Sequence, residues 1–112
     1  MSSDSSRPNE TDPVEVTGEG DLKNRVETNE RVLVDFYATW CGPCKMMEPT
    51  IEEIAEKGSS PVLKVDVDEH PELASNFEVR AVPTVLIFED GSPSTRFVGH
   101  QDKRTLERAL AD

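Results

Sequence analysis

Residues 32–45 read VLVDFYATWCGPCK, and this stretch decides the fold. Its first seven residues are apolar at both odd and even positions, apart from Asp35, which is typical of a strand covered on both faces. Between residues 41 and 57 the apolar side chains then fall on one stripe of a helix. The stretch therefore predicts a central strand, a turn that carries Cys41 and Cys44, and a helix that starts at this turn.

The segments on either side of this unit alternate between strand and helix patterns. A terminal antiparallel hairpin is indicated by the turn signal Glu89-Asp90-Gly91. Alternation that ends in a hairpin indicates an α/β class, with a central mixed sheet of four to five strands flanked by helices on both faces. The predicted strands are Val14–Val16, Val32–Ala38, Val62–Val67, Thr84–Phe88 and Ser94–Val98, and the predicted helices are Gly18–Asn29, Cys41–Lys57, Pro71–Phe77 and Asp102–Leu110.

Length and composition set the organisation of the chain. Its 112 residues correspond to one domain. Residues 1–13 are polar, rich in serine and acidic side chains, and predict a disordered tail, so that residues 14–112 form the domain. The tail has no apolar run typical of a secretory signal, and no stretch reaches membrane-spanning length, which predicts a cytoplasmic protein.

The net charge of the chain limits the classes of partner that we expect. The formal net charge of −11 repels phosphate backbones and anionic lipid, so we expect neither nucleic acid nor membrane as a partner. No large apolar face marks an oligomer, and we expect a monomer.

The two cysteines lie where the strand hands over to the helix. Backbone N–H groups and the positive end of the helix dipole favour a thiolate at this position, which makes Cys41 the expected nucleophile. Cys44, in the same turn, would lie about 5–6 Å away between Cα atoms, within reach of a disulfide. It is the expected resolving thiol, and Pro43 fits an early helical position between the two.

A pair of cysteines at this spacing has two other interpretations. A zinc site needs further ligands, and the candidates are His70, His100 and carboxylates, without a second Cys-x-x-Cys pair. Inert buried thiols are the other possibility, but the flanking Trp40, Gly42 and Pro43 predict that the pair lies at the surface. The redox interpretation is favoured over both.

Asp35 interrupts the otherwise apolar central strand. An ionised carboxylate there would lose its hydration, so we expect a raised pKa and a functional role for this residue. Lys64 similarly interrupts the next predicted strand. Taken by itself, it would most simply be an edge or snorkelling lysine with its ammonium in water.

The run WCGPCK at residues 40–45 resembles the active-site motif of the thioredoxin family in full, and the order of elements from residue 14 to residue 112 agrees. The resemblance implies the thioredoxin fold, with Cys41 as the attacking and Cys44 as the resolving cysteine. It also implies that Asp35, six positions before Cys41, assists proton transfer at the resolving cysteine. Lys64 matches a lysine that tunes the titration of this aspartate in the family.

The resemblance extends to the surface that receives the substrate. Pro83, directly before a predicted strand, matches a cis-proline loop that faces the dithiol and pairs its backbone with an extended substrate segment. A flat apolar patch that docks partners would consist of Trp40, Gly42, Pro43, Val82, Val98 and Gly99.

The resemblance thus implies a general protein-disulfide reductase and electron donor that needs no cofactor beyond its own dithiol. Its expected partners are disulfide-containing proteins and a thioredoxin reductase, linked to either NADPH or ferredoxin. Two alternatives stay open at this point: a disulfide isomerase or oxidase of the same fold, and a non-catalytic scaffold. Gly42 and Pro43 between the cysteines argue for the reductase.

The acidic surplus predicts a solvated, self-repulsive surface suited to a salty cytoplasm. Because salt screens this repulsion over distances from about 10 Å at 0.1 M to about 3 Å at 1 M, we expect the melting temperature to rise with added sodium chloride. Calorimetry across this range tests the expectation, and a melting temperature independent of salt would contradict it. The acidic residues involved are Glu52, Glu53, Glu56, Asp66, Asp68, Glu69, Glu72, Glu78, Glu89 and Asp90.

Overall fold

The computed structural model describes residues 11–111, which contain nine regular elements. Most of the predicted tail, residues 1–10, lies outside the described residues, so the division at residue 13 stays a prediction. In chain order the elements are β1 (Val14–Glu15), α1 (Glu19–Glu27), β2 (Arg31–Tyr37), α2 (Gly42–Lys57), β3 (Val62–Asp66), α3 (Pro71–Asn76), β4 (Thr84–Glu89), β5 (Ser92–Val98) and α4 (Lys103–Ala111).

The five strands form one mixed sheet in the order β1-β3-β2-β4-β5. Strands β1, β3 and β2 are parallel, while β4 runs antiparallel to β2 and β5 antiparallel to β4. The central position of β2 explains its continuous apolar pattern, because both of its edges and both of its faces are covered. The predicted α/β class and the predicted mixed sheet of four to five strands are confirmed, with five strands present.

Helices cover both faces of the sheet. On one face, Val34 and Phe36 of β2 pack against Leu22 of α1 and Leu73 of α3. On the other face, Leu33 packs with side chains of α2 and of α4. The alternation of side chains along β2 thus separates two cores, and Asp35 points to the face covered by α2.

The predicted elements are confirmed, with ends that differ by a few residues. Strand β5 starts at Ser92 rather than Ser94, and α3 ends at Asn76, with Phe77 as its C-cap. Helix α2 ends where the sequence predicts, because Gly58 adopts the left-handed conformation (φ 70°) that closes a helix.

Of the acidic residues assigned to the solvated surface, Asp66 is buried and Glu89 is partly covered. Asp66 is only 8% exposed, and its Oδ1 accepts a hydrogen bond from the backbone N–H of Asp68 at 2.9 Å. Glu89 is half-buried and pairs with Arg31 at 2.9 Å. The surface prediction is wrong for Asp66, because its carboxylate satisfies the turn after β3.

None of the helices in residues 11–111 is long and apolar enough to cross a membrane.

Candidate active site

The dithiol lies at the junction that the sequence predicts, between the end of β2 and the start of α2. Cys41 is the N-cap of α2, with an extended backbone (φ −89°, ψ 113°), and Cys44 lies in the first helical turn. The two form a disulfide with 5.2 Å between their Cα atoms. The backbone N–H of Cys44 donates to Sγ of Cys41 at 3.1 Å, so the first sulfur already receives an N–H of the helix start.

Both cysteines are more buried than predicted. Cys41 is 3% and Cys44 4% exposed, whereas Trp40 is 69% exposed and both Gly42 and Pro43 are exposed. The surface expectation therefore holds for the flanking residues and is wrong for the cysteines. Their side chains turn inward to pack with Ala38, and Val82 packs against the same cluster.

The indole of Trp40 is hydrogen-bonded to the loop between β3 and α3. Its Nε1 donates a hydrogen bond to Oδ2 of Asp68 at 2.8 Å. The sequence places Asp68 only among the acidic surface residues. The signal that could have found it is topological: parallel strands β2 and β3 end at the same edge of the sheet, so the residues that follow them meet there.

The loop before β4 reaches the dithiol from the other side. The Val82-Pro83 peptide bond is cis, as the resemblance implies. The carbonyl of Pro83 accepts a hydrogen bond from the backbone N–H of Gly99 at 2.8 Å, and Val98 pairs with Thr84 across the hairpin. The structure thus gathers Val82, Pro83 and the end of β5 at the edge where the cysteines lie, and Val98 is 58% exposed there.

Asp35 lies buried on the face covered by α2. It is 2% exposed, and its Oδ1 has no hydrogen-bond partner among residues 11–111. Burial raises the pKa of its carboxyl to about 7, although the ammonium of Lys64 acts in the opposite direction; the carboxylates of Glu15 and Glu48 raise it further. The expected rise is confirmed, and this carboxyl can hold or release a proton near neutral pH.

Lys64 is not on an edge strand. It lies on β3, between β1 and β2, directly opposite Asp35 in register. Its Nζ lies 4.3 Å from the ring centroid of Tyr37 and 3.9 Å from Oε2 of Glu48. The simple snorkelling interpretation is therefore insufficient, because the side chain is half-buried within contacts from β2 and α2.

No group of three or more His, Cys, Asp or Glu side chains in residues 11–111 is arranged to hold a metal ion.

A disulfide at a helix N-terminus, packed against Val82 of a cis-proline loop, is typical of a thiol–disulfide oxidoreductase. Comparisons with known proteins identify which kind. Residues 13–112 match the sequence model of the thioredoxin family, and the chain belongs to this family. It is a thiol–disulfide oxidoreductase, and Cys41 and Cys44 form its redox-active disulfide.

Relatives match over most of their length. Thioredoxin of Mycobacterium tuberculosis strain H37Rv is 46% identical over 101 residues, covering 88% of this chain and 87% of that protein. Thioredoxin of Staphylococcus aureus strain N315 is 46% identical over 99 residues, covering 87% and 93%.

Solved structures agree with the fold. A mutant thioredoxin from Halobacterium salinarum NRC-1 superimposes with a TM-score of 0.88 at 42% identity, covering 93% of this chain and 92% of that one. Oxidised mitochondrial thioredoxin 3 from Saccharomyces cerevisiae gives a TM-score of 0.83 at 34% identity, covering 94% and 99%.

The raised pKa of Asp35 predicts a pH-dependent stability. The folded chain holds this proton with a pKa of about 7, against an ordinary value of 3.8, so folding is favoured by the neutral carboxyl. Its contribution is complete below the ordinary value and is lost as pH rises through about 7. We expect Asp35→Asn to remove this loss, with a gain relative to wild type on the order of 4 kcal/mol at most above neutral pH.

Urea denaturation of the oxidised proteins between pH 4 and pH 8 measures the effect. The exposed Asp90→Asn serves as the matched control and should follow wild type. A difference between wild type and Asp35→Asn that stays constant with pH would contradict the assignment.

Proposed function

We propose that this chain is a general protein-disulfide reductase in which Cys41 attacks and Cys44 resolves. The single observation that carries these roles is the asymmetry of the two sulfurs. Cys41 is the N-cap of α2, and its Sγ accepts the N–H of Cys44, whereas Cys44 lies within the first turn. A thiolate is stabilised at the first position by the helix N-terminus, and less so at the second.

The reaction starts from the reduced pair. The Cys41 thiolate attacks one sulfur of the substrate disulfide, forming a mixed disulfide, and the departing substrate thiolate takes a proton. Cys44 then loses its proton and attacks Sγ of Cys41, which closes the Cys41–Cys44 disulfide and releases the second substrate thiolate. Two electrons pass from the dithiol to the substrate in each turnover.

Asp35 is the proposed acceptor of the Cys44 proton. Its carboxyl is buried on the face covered by α2, and a pKa of about 7 lets it exchange a proton at neutral pH. Lys64, opposite Asp35 on β3, is the proposed cation that tunes this exchange. No step needs a cofactor beyond the cysteine pair.

Substrate docking is proposed at the edge where the loops meet. Trp40 and Val98 are the large apolar side chains exposed there, at 69% and 58%. The other members of this docking patch are Gly42, Pro43, Val82 and Gly99, and the backbone beside the buried Pro83 is the proposed pairing site for an extended substrate segment. Such a patch suits an extended protein segment that carries a disulfide.

The oxidised pair must be reduced again by a partner, and we infer a thioredoxin reductase. A relative from Mycobacterium leprae, 46% identical over 101 residues, is named a bifunctional thioredoxin reductase/thioredoxin. The match covers 88% of this chain and 22% of that protein, whose name assigns both activities to one polypeptide. Whether the electrons come from NADPH or ferredoxin stays open, and the cytoplasmic location and the monomeric state stay predictions.

Substitution of each cysteine tests the assigned roles. We expect Cys41→Ser and Cys44→Ser both to abolish turnover of insulin with a dithiol donor. Only Cys44→Ser should accumulate a covalent complex with substrate, because it can form the mixed disulfide but cannot resolve it. Mass spectrometry detects this complex. Covalent capture by Cys41→Ser instead would reverse the roles, and a wild-type chain that fails to reduce insulin would favour a non-catalytic scaffold.

A charge in the docking patch tests where protein substrates bind. We expect Val98→Asp to raise KM for insulin about tenfold, equivalent to about 1.4 kcal/mol of lost binding, and to leave kcat unchanged. Reduction of the small neutral disulfide hydroxyethyl disulfide should not change. Ser92→Asp, at the far end of β5, adds the same charge as a control, and an equal effect from both variants would refute docking at Val98.

A further inference from the structure

A row of charged side chains crosses the sheet beside the dithiol. Strands β1, β3 and β2 are neighbours, and Glu15, Lys64 and Asp35 occupy the same register in them. Side chains at one register of neighbouring strands point to the same face of the sheet. Lys64 therefore lies between Glu15 and Asp35 in the sheet, and the three side chains leave it on the same face.

Two other side chains contact the ammonium of Lys64. Glu48, an exposed residue of α2, places Oε2 at 3.9 Å from Nζ of Lys64. The ring of Tyr37 lies beneath Nζ, with 4.3 Å to its centroid, in a cation–π arrangement. Oδ1 of Asp35, by contrast, has no hydrogen-bond partner within residues 11–111.

Tyr37 is itself fixed by the first residue of the row. Its hydroxyl donates a hydrogen bond to Oε2 of Glu15 at 2.7 Å. Burial and this hydrogen bond raise the pKa of the Tyr37 hydroxyl, so it remains a donor at every pH relevant to the reaction. The hydrogen bond from Tyr37 to Glu15, and with it the position of the ring beneath Lys64, therefore does not change with pH near neutrality.

We propose that Glu48 is a positioning residue for the reductase reaction, which holds the Lys64 ammonium at the solvent side of Asp35 and thereby keeps the Asp35 carboxyl ready to take up a proton. This inference rests on the proposed role of Asp35 as acceptor of the Cys44 proton. Glu48 touches neither substrate nor sulfur in this account. It acts through Lys64, because a cation paired with Glu48 stabilises the Asp35 carboxylate less than a cation paired with Asp35 itself.

The other groups around Asp35 leave Glu48 as the adjustable one. Lys64 faces it from β3 and Glu15 from β1, but the hydrogen bond from Tyr37 engages Glu15. Strand β4 places the apolar Val85 opposite Asp35, and the start of α2 contributes the cysteine pair. The carboxylates of Glu15 and Glu48 both raise the pKa of Asp35, against the effect of Lys64.

The isosteric substitution Glu48→Gln tests the proposal. With the Glu48 charge removed, the Lys64 ammonium is free to approach Asp35, and a cation within about 4–6 Å lowers a carboxyl pKa by about 1–3 units. We expect the midpoint of the Asp35 carboxyl titration, followed by carbon-13 NMR in the oxidised protein, to fall by about one pH unit. Glu52→Gln removes an equal charge one turn further along α2 and should leave the midpoint in place. An unchanged midpoint in Glu48→Gln overturns the proposal.

Substitution of Lys64 separates an effect of Glu48 through the Lys64 ammonium from direct charge repulsion between Glu48 and Asp35. In Lys64→Met, or in Lys64→Gln if the first variant fails to fold, Glu48→Gln has no ammonium to release. Most of the shift should then disappear. A shift of the same size with and without Lys64 would show that Glu48 acts only as a distant charge, and would overturn the positioning role.

The reaction supplies the functional readout. The pH profile of insulin reduction by Glu48→Gln should move to lower pH by the same amount as the NMR midpoint, with the maximal rate retained. A profile that stays in place while the NMR midpoint moves overturns the link to the resolving step. These outcomes are distinct from failure of the proposed function, because the NMR titration needs no catalysis, whereas a wild-type chain that does not reduce insulin would refute the reductase and leave the titration valid.

Discussion

One backbone N–H at the start of α2, that of Cys44, donates to a single sulfur atom, and the proposed chemistry of the chain depends on that contact. Strand β2 delivers Cys41 to the N-cap position, where its Sγ accepts the N–H of Cys44. The rest of the sheet fixes this junction, because β2 is central and buried on both faces. A sulfur held in this way is stabilised as a thiolate before any substrate arrives.

A second constraint concerns the proton of the proposed resolving cysteine. Cys44 lacks the N-cap position, and the proposed acceptor of its proton is Asp35, which is buried in β2. Burial alone would hold the Asp35 proton too tightly, and Lys64 offsets part of this effect. The proposed placement of the ammonium by Glu48 makes this balance a property of the sheet and α2 together.

The sequence predicted the elements, the α/β class and the junction, because strand and helix periodicities and the motif at residues 40–45 are local signals. It also predicted the raised pKa of Asp35, because a strand that is apolar at both odd and even positions has no solvent-exposed face for a carboxyl. It did not predict the burial of Cys41 and Cys44. It also did not predict the hydrogen bond from Trp40 to Asp68. Both arise from side chains that turn toward neighbouring loops, and periodicity carries no information about such contacts.

Titration of the Cys41 thiol in the reduced protein tests the central claim most directly. Thiolate absorbance in the ultraviolet, followed in wild type and in Cys44→Ser, reports the ionisation of this sulfur. The account predicts a Cys41 pKa well below the value of about 8.5 for a free cysteine. A pKa of about 8.5 or higher would contradict it, because the helix start would then give the attacking sulfur no advantage.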